Sequence, residues 1–174
     1  MKNDAIQSEV HQVRFHVTEN KDFLQKLRAL GKKSKCSLIC VDRNSVAGRR
    51  HVEAALHFAF RSFKSDSPIS RSLEVESLLY AAGTRQTGLI GPFGVKPGEN
   101  ECYLCLIPPS DEAEKELHEF MDFVDHENWE EISSEKLQCL QKLFGISENE
   151  LQITGIERIT DLVLERVALL NINR

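Results

Sequence analysis

Apolar and polar positions alternate along Gln12–Val17, with Val13, Phe15 and Val17 on one side. A period of two predicts a strand. Asp22–Leu30 reads as a short helix closed by Gly31. After Lys32, Lys33 and Lys35 comes an apolar strand, Cys36–Asp42. Gly48–Lys64 is a helix with a narrow polar stripe of Glu53, His57, Arg61 and Lys64, and an apolar arc so wide implies burial on most sides. Ser72 caps the next helix, which carries Val75, Leu78, Leu79 and Ala82 on one face and stops at Gly83. Glu101–Ile107 is a strand ended by Pro108-Pro109. Ser110 caps an acidic amphipathic helix reaching to about Asp125, with Leu117, Phe120, Met121 and Val124 at helical spacing. Ser133–Phe144 is a helix stopped by Gly145, and a short turn follows from Ser147. The last helix is Ile156–Leu170. Three clear strands among several helices predict an α/β or α+β fold: one domain over residues 12–172, with a small mixed sheet, after a flexible stretch at 1–11.

Two helices break the simple pattern. Glu76 falls in the middle of the apolar face of Ser72–Ala82, at nearly the same angle as Ala82. A buried carboxylate needs partners. Arg85, His51 and loop backbone N–H groups are the candidates, and Glu76 reads as a brace holding the turn that follows rather than as a catalytic group. The last helix has a core stripe of Ile156, Ile159, Val163, Val167 and Leu170. Leu162 and Leu169 flank it on one side, and Leu164 and Ala168 on the other. Its second half is apolar nearly all round, so it is either buried deeply or leaves a face for a partner.

The 174 residues carry a formal net charge of −5, with 16 Lys and Arg against 10 Asp and Glu up to residue 100, then 6 against 17. That split points to an anionic partner for the first part unless folding mixes the charges. No apolar run approaches the ~20 residues of a membrane helix. The start, MKNDAIQSEV, lacks an apolar signal core, so a cytoplasmic protein is expected. The five cysteines read as free thiols in a reducing compartment. Cys102 and Cys105 lie three apart in a strand and so diverge, and no histidine pair has ligand spacing, so neither a metal nor another cofactor is expected. Cys36 and Cys40 would lie ~13 Å apart, too far for a disulfide.

The stretch LLYAAGTRQTGLIGPFG, residues 78–94, holds four glycines. Gly83 and Gly88 have the spacing of a phosphate-binding loop. The Lys-Ser/Thr pair that would follow is Leu89-Ile90 here, and the glycines follow a helix rather than a strand, so a P-loop is excluded. Cys40, His51 and Glu76 are the groups an enzyme reading would use, but no nucleophile–base set has a recognisable spacing.

His51-Val52-Glu53-Ala54-Ala55, Glu76-Ser77-Leu78-Leu79-Tyr80-Ala81-Ala82-Gly83-Thr84-Arg85-Gln86, Phe93-Gly94-Val95 and Leu162-Val163-Leu164-Glu165-Arg166-Val167-Ala168-Leu169-Leu170 together resemble the kinase-binding (PRPK-binding protein) subunit of the KEOPS/EKC complex. The resemblance covers residues 12–172, and the AGTRQ form is similar to archaeal rather than animal members. It implies a non-enzymatic subunit of the complex that makes threonylcarbamoyl-adenosine in tRNA. It implies docking on the atypical kinase subunit, indirect contact with the Kae-type catalytic subunit, and help in holding the 3′ CCA end of tRNA. On that reading Leu162, Arg166, Leu169 and Ile172 are the expected docking residues. Gly83, Thr84, Arg85 and Gln86 are the expected RNA contacts, with Arg49, Arg50, Arg61, Lys64 and Arg71 along the RNA backbone and Glu76 and His51 as structural supports. Arginine suits phosphate pairing and base stacking, and single-stranded ends are read by stacking and exposed edges. The family continues after Arg-Gln with a short helix, which Gly88, Gly91 and Pro92 weaken here.

Overall fold

The computed structural model describes residues 6–65 and 67–172. The chain runs β1 (Glu9–Val17), α1 (Asn20–Ser34), β2 (Ser37–Asp42), α2 (Arg49–Lys64), α3 (Leu73–Ala82), β3 (Gly98–Ile107), α4 (Asp111–Leu117), β4 (Asp122–Phe123), α5 (Ser134–Phe144), α6 (Glu148–Thr154) and α7 (Ile159–Ile172). The strands form one sheet in the order β2-β3-β1-β4. The fold is mixed α/β, as the sequence predicts. Two compact units share the chain, one within Met1–Cys40 and Val95–Glu127, the other within Val41–Gly94 and Asn128–Arg174. By sequence count the first carries 10 basic and 14 acidic residues and the second 12 and 13, so the charge split between sequence halves nearly vanishes.

In the first unit β1 runs antiparallel to β3, from Glu9 opposite Leu106 to Val17 opposite Gly98. The strand begins earlier than the alternation suggests. Of the stretch 1–11 expected to be flexible, residues 1–5 lie outside the described residues and Glu9–His11 belong to β1. Val13, Phe15 and Val17 face a core shared with Leu27 and Leu30 of α1 and Leu117 of α4. Full burial of each such side chain is worth ~1.5–3 kcal/mol. Phe15 and Phe23 stack at 4.9 Å.

Helix α1 does not stop at Gly31. It continues to Ser34, and Lys35 takes the left-handed cap at φ 53°. Gly31 is needed for space instead: a Cβ there would lie 2.5 Å from the Cys36 carbonyl oxygen. The acidic helix expected up to Asp125 ends at Leu117. Backbone bonds from Phe120 and Met121 to Leu117 turn the chain, and β4 pairs Phe123 with Val13 of β1. Filling the open edge of β1 satisfies strand groups that a longer helix would leave bare. Met121 and Val124 are still buried, so an apolar spacing compatible with a helix is used by a turn and a strand.

In the second unit α7 packs against α2, α3 and α5. Ile159, Val163, Val167 and Leu170 are buried as the stripe predicts, but Ile156 is 61% exposed. Ile156–Arg158 form a 3-10 turn, whose tighter winding rotates Ile156 off the α-helical stripe.

Candidate interaction surfaces

Helices α2 and α3 form an antiparallel pair, fixed at each end by a buried polar side chain. At one end is His51, fully buried in the first turn of α2. The Ala47 N–H donates to its Nδ1 at 3.0 Å. Its Nε2 therefore carries the proton and donates to the Ala81 carbonyl at 2.8 Å. Burial pushes the imidazole down to about 4, against a smaller pull upward from the Ala81 bond. His51 thus ties the start of α2 to the end of α3 as a neutral ring.

At the other end is Glu76, also fully buried. Its Oε1 accepts from Ser62 Oγ at 2.7 Å and the Ile69 N–H at 2.9 Å. Its Oε2 accepts from the Ser70 N–H at 2.8 Å and Ser70 Oγ at 2.9 Å. The brace predicted from the helical wheel is real, and loop N–H groups are among its partners. It holds the loop before α3 rather than the glycine-rich turn after it, because Glu76 sits near the start of the helix. With both rings of bonds satisfied, His51 and Glu76 have no spare proton donor or acceptor directed at a substrate.

Gly83 ends α3 in the left-handed conformation at φ 65°, and the Gly83 and Thr84 N–H groups bond back to Tyr80 and Leu79. The chain then runs through two short 3-10 turns, Thr87–Leu89 and Gly91–Phe93, where the resemblance implied a short helix. Arg85 and Gln86 are exposed, and the Gln86 N–H donates to Thr84 Oγ1 at 3.1 Å. Two anchors hold the far end of the segment. Ser45 Oγ donates to the Pro92 carbonyl at 2.6 Å, and Phe93 is buried edge-on against Phe144. Between the turn and α5 lies a mainly apolar cleft of about 600 Å³, lined by Gly83, Thr84, Leu89, Phe93, Lys142 and Leu143 among others. Lys142 and Leu143 were missed by sequence reasoning, since nothing in a helix some sixty residues downstream signals that it borders this turn.

The antiparallel pairing sorts the basic residues. Arg49 and Arg50 stand at the His51 end of α2, the end that leads into Gly83–Gln86. Arg61 and Lys64 stand at the Glu76 end, about 17–22 Å away at the helical rise. Arg71 precedes α3 at that same far end. Arg50 is also bound to Asp161 at 3.1 Å, and Lys64 lies 5.0 Å over the Phe60 ring. The nine expected RNA-facing residues therefore do not converge as one set.

The four expected docking residues separate too. Leu162 is buried within its own unit. Arg166 holds Glu150 through two bonds of 2.9 Å, donates to the Phe144 carbonyl at 3.3 Å, and draws the Glu150 carboxyl below its usual range. Leu162 and Arg166 thus serve the interior and the seat of α6. Leu169 and Ile172 remain outside, 44% and 74% exposed, at the apolar end of α7. Ile153 and Ile156 are exposed as well; Ile153 carried no sequence signal beyond its hydrophobicity, and Ile156 is the residue expected in the core stripe.

No described helix is long and apolar enough to cross a membrane. No curated protein matches the chain. A family model described as kinase binding protein CGI-121 matches residues 15–171, which takes in both braces, the glycine-rich turn and almost all of α7. Over nearly its whole length, the chain belongs to the CGI-121 family of kinase-binding proteins, the family of the KEOPS kinase-binding subunit.

Proposed function

We propose that this chain is the non-catalytic KEOPS subunit that seats on the complex's atypical kinase and helps to bring in tRNA for threonylcarbamoyl-adenosine modification. It works in the cytoplasm and reaches the Kae-type catalytic subunit only through the kinase. The observation that carries the docking half is the exposed apolar end of α7, where Leu169 and Ile172 project from a helix whose Ile159, Leu162, Val163, Val167 and Leu170 are buried. Solvent-facing apolar groups grouped on a terminal helix suit a helix or sheet of a partner. The RNA half is supported by the exposed Arg85 and Gln86, with Arg49 and Arg50 at the same end of the helix pair, and by an apolar cleft that reaches Gly83 and Thr84 and has Lys142 in its lining. A cleft with cations at its rim suits the stacked, single-stranded 3′ CCA end.

Two experiments test the halves separately. Leu169→Asp is expected to abolish co-elution with the kinase subunit while the melting temperature stays within a few degrees. Retained co-elution would remove α7 as the docking face. Titration with tRNA, and with the same tRNA trimmed of CCA, is expected to show tighter, salt-sensitive binding of the intact molecule. Equal or absent binding would leave a kinase-regulatory partner without RNA contact, a reading favoured by the placement of Arg61, Lys64 and Arg71 away from the turn.

A further inference from the structure

Strand β1 places Glu9 and His11 two residues apart, so their side chains share one face of the sheet. It is the face that also presents Val13, Phe15 and Val17 to the core. Helix α4 brings Glu114 to the same place. His11 Nε2 lies 3.3 Å from Glu9 Oε2 and 3.9 Å from Glu114 Oε2. One donor atom from each of the three residues falls within 4.8 Å of the others. Ligand atoms around a small tetrahedral ion with ~2.0–2.2 Å bonds lie a little over 3 Å apart. The three donors need only small side-chain rotations to reach that spacing.

The imidazole is also oriented. His11 Nδ1 lies 2.8 Å from Asp125 Oδ2, and Asp125 Oδ1 accepts the Gln12 N–H at 2.7 Å. A carboxylate fixed by the backbone thus holds the Nδ1 proton and turns Nε2 toward Glu9 and Glu114. This carboxylate–histidine relay is the usual outer support of a metal-bound imidazole. Phe123 packs against the His11 ring at 5.1 Å and stacks on His118 at 3.9 Å, limiting the movement of both rings. His118 Nε2 lies 3.8 Å from the other oxygen of Glu114.

We propose that Glu9, His11 and Glu114 bind one divalent transition-metal ion of the zinc class, with Asp125 as the positioning residue behind His11. One imidazole and two carboxylates suit zinc better than magnesium or calcium, which favour all-oxygen sites. The ion would clip the start of β1 to α4, segments more than a hundred residues apart in the chain. Without it, burial pulls the His11 imidazole down, but its bonds to Asp125 and Glu9 carry it above its ordinary value.

The test is calorimetric titration of the chelator-stripped full chain with zinc chloride under reducing conditions. One ion per chain is expected. His11→Ala should abolish that event, and Asp125→Asn should weaken it by ~10–100-fold. Glu9→Gln, on a half-exposed side chain, supplies a loss-of-binding variant that leaves the core alone. In the unaltered protein, zinc should shift the NMR signals of the His11 ring. Unchanged zinc affinity in both His11→Ala and Glu9→Gln, or an unmoved His11 ring, would overturn the proposal. Magnesium chloride binding as tightly as zinc would also overturn it, reducing the site to a patch of carboxylates.

Discussion

The two connections that flank α3 are built in opposite ways. Before the helix, the loop is organised from inside. Ser62, Ile69 and Ser70 all direct donors at the two oxygens of Glu76, which is sealed from water. After the helix, the chain closes on its own backbone at Gly83 and Thr84, then runs exposed through Gln86 and Leu89 until Ser45 and Phe93 secure it again. The first connection is fixed by a buried carboxyl group that no partner can reach. The second keeps a rigid floor, the Ala81 carbonyl held by His51, under a segment whose side chains point outward. Precision below and exposure above is the arrangement a binding turn requires.

The sharpest way to break this contrast is Glu76→Ala. It leaves several loop donors without an acceptor in a dry site and should cost about 3 kcal/mol or more, read as a fall in the chemical-denaturation midpoint. A loss below 1 kcal/mol would mean that the loop before α3 needs no internal brace. Next comes acid. The His51 imidazole titrates near 6.5 in the unfolded chain and about 4 when folded, so the unfolded chain binds the proton first. Stability should then fall as pH drops from 6.5 toward 4, by ~3 kcal/mol in total from this group. Denaturation of His51→Gln across the same range should lack that slope. Gly83→Ala should cost about 1 kcal/mol for the left-handed backbone alone. The new Cβ would meet Arg166 at an ordinary 3.5 Å, so no clash adds to it. The smallest effect on stability belongs to Arg85→Ala, within ~0.5 kcal/mol. Its effect should appear in tRNA affinity instead, and a mutant that binds tRNA like the parent would make the exposed turn a connection only.

Much of this was legible in the chain. The burial of Glu76 followed from its angle among Val75, Leu78, Leu79 and Ala82, and Ser72 and Gly83 cap α3 as their residue types predict. Loop N–H groups were among the expected partners, but the particular set of Ser62 on α2 and Ile69 and Ser70 on the loop did not follow, because no periodicity describes the path of that loop. Gly31 looked like a helix stop, since spacing cannot tell a glycine chosen for conformation from one chosen for a close carbonyl. The α4–β4 segment read as one helix because Leu117, Met121 and Val124 are buried in either geometry. Leu162 and Leu169 looked alike on the helical wheel, and only the packing of neighbouring helices buries one and bares the other. The Glu9–His11–Glu114 cluster had no signal at all, because strand pairing and a distant helix assemble it.

The pairing of β1 with β3 also sets a schedule for synthesis. Glu9 must wait for Leu106, about a hundred residues later, before it meets its partner. At roughly 5–20 residues per second, the ribosome takes several seconds to cover that interval. During it, α2 and α3 emerge and can form by local contacts, while β1, with α1 to cover Val13, Phe15 and Val17, has neither β3 nor β4 beside it. A message truncated before Gly98 would release that strand with both edges open, a product prone to aggregation.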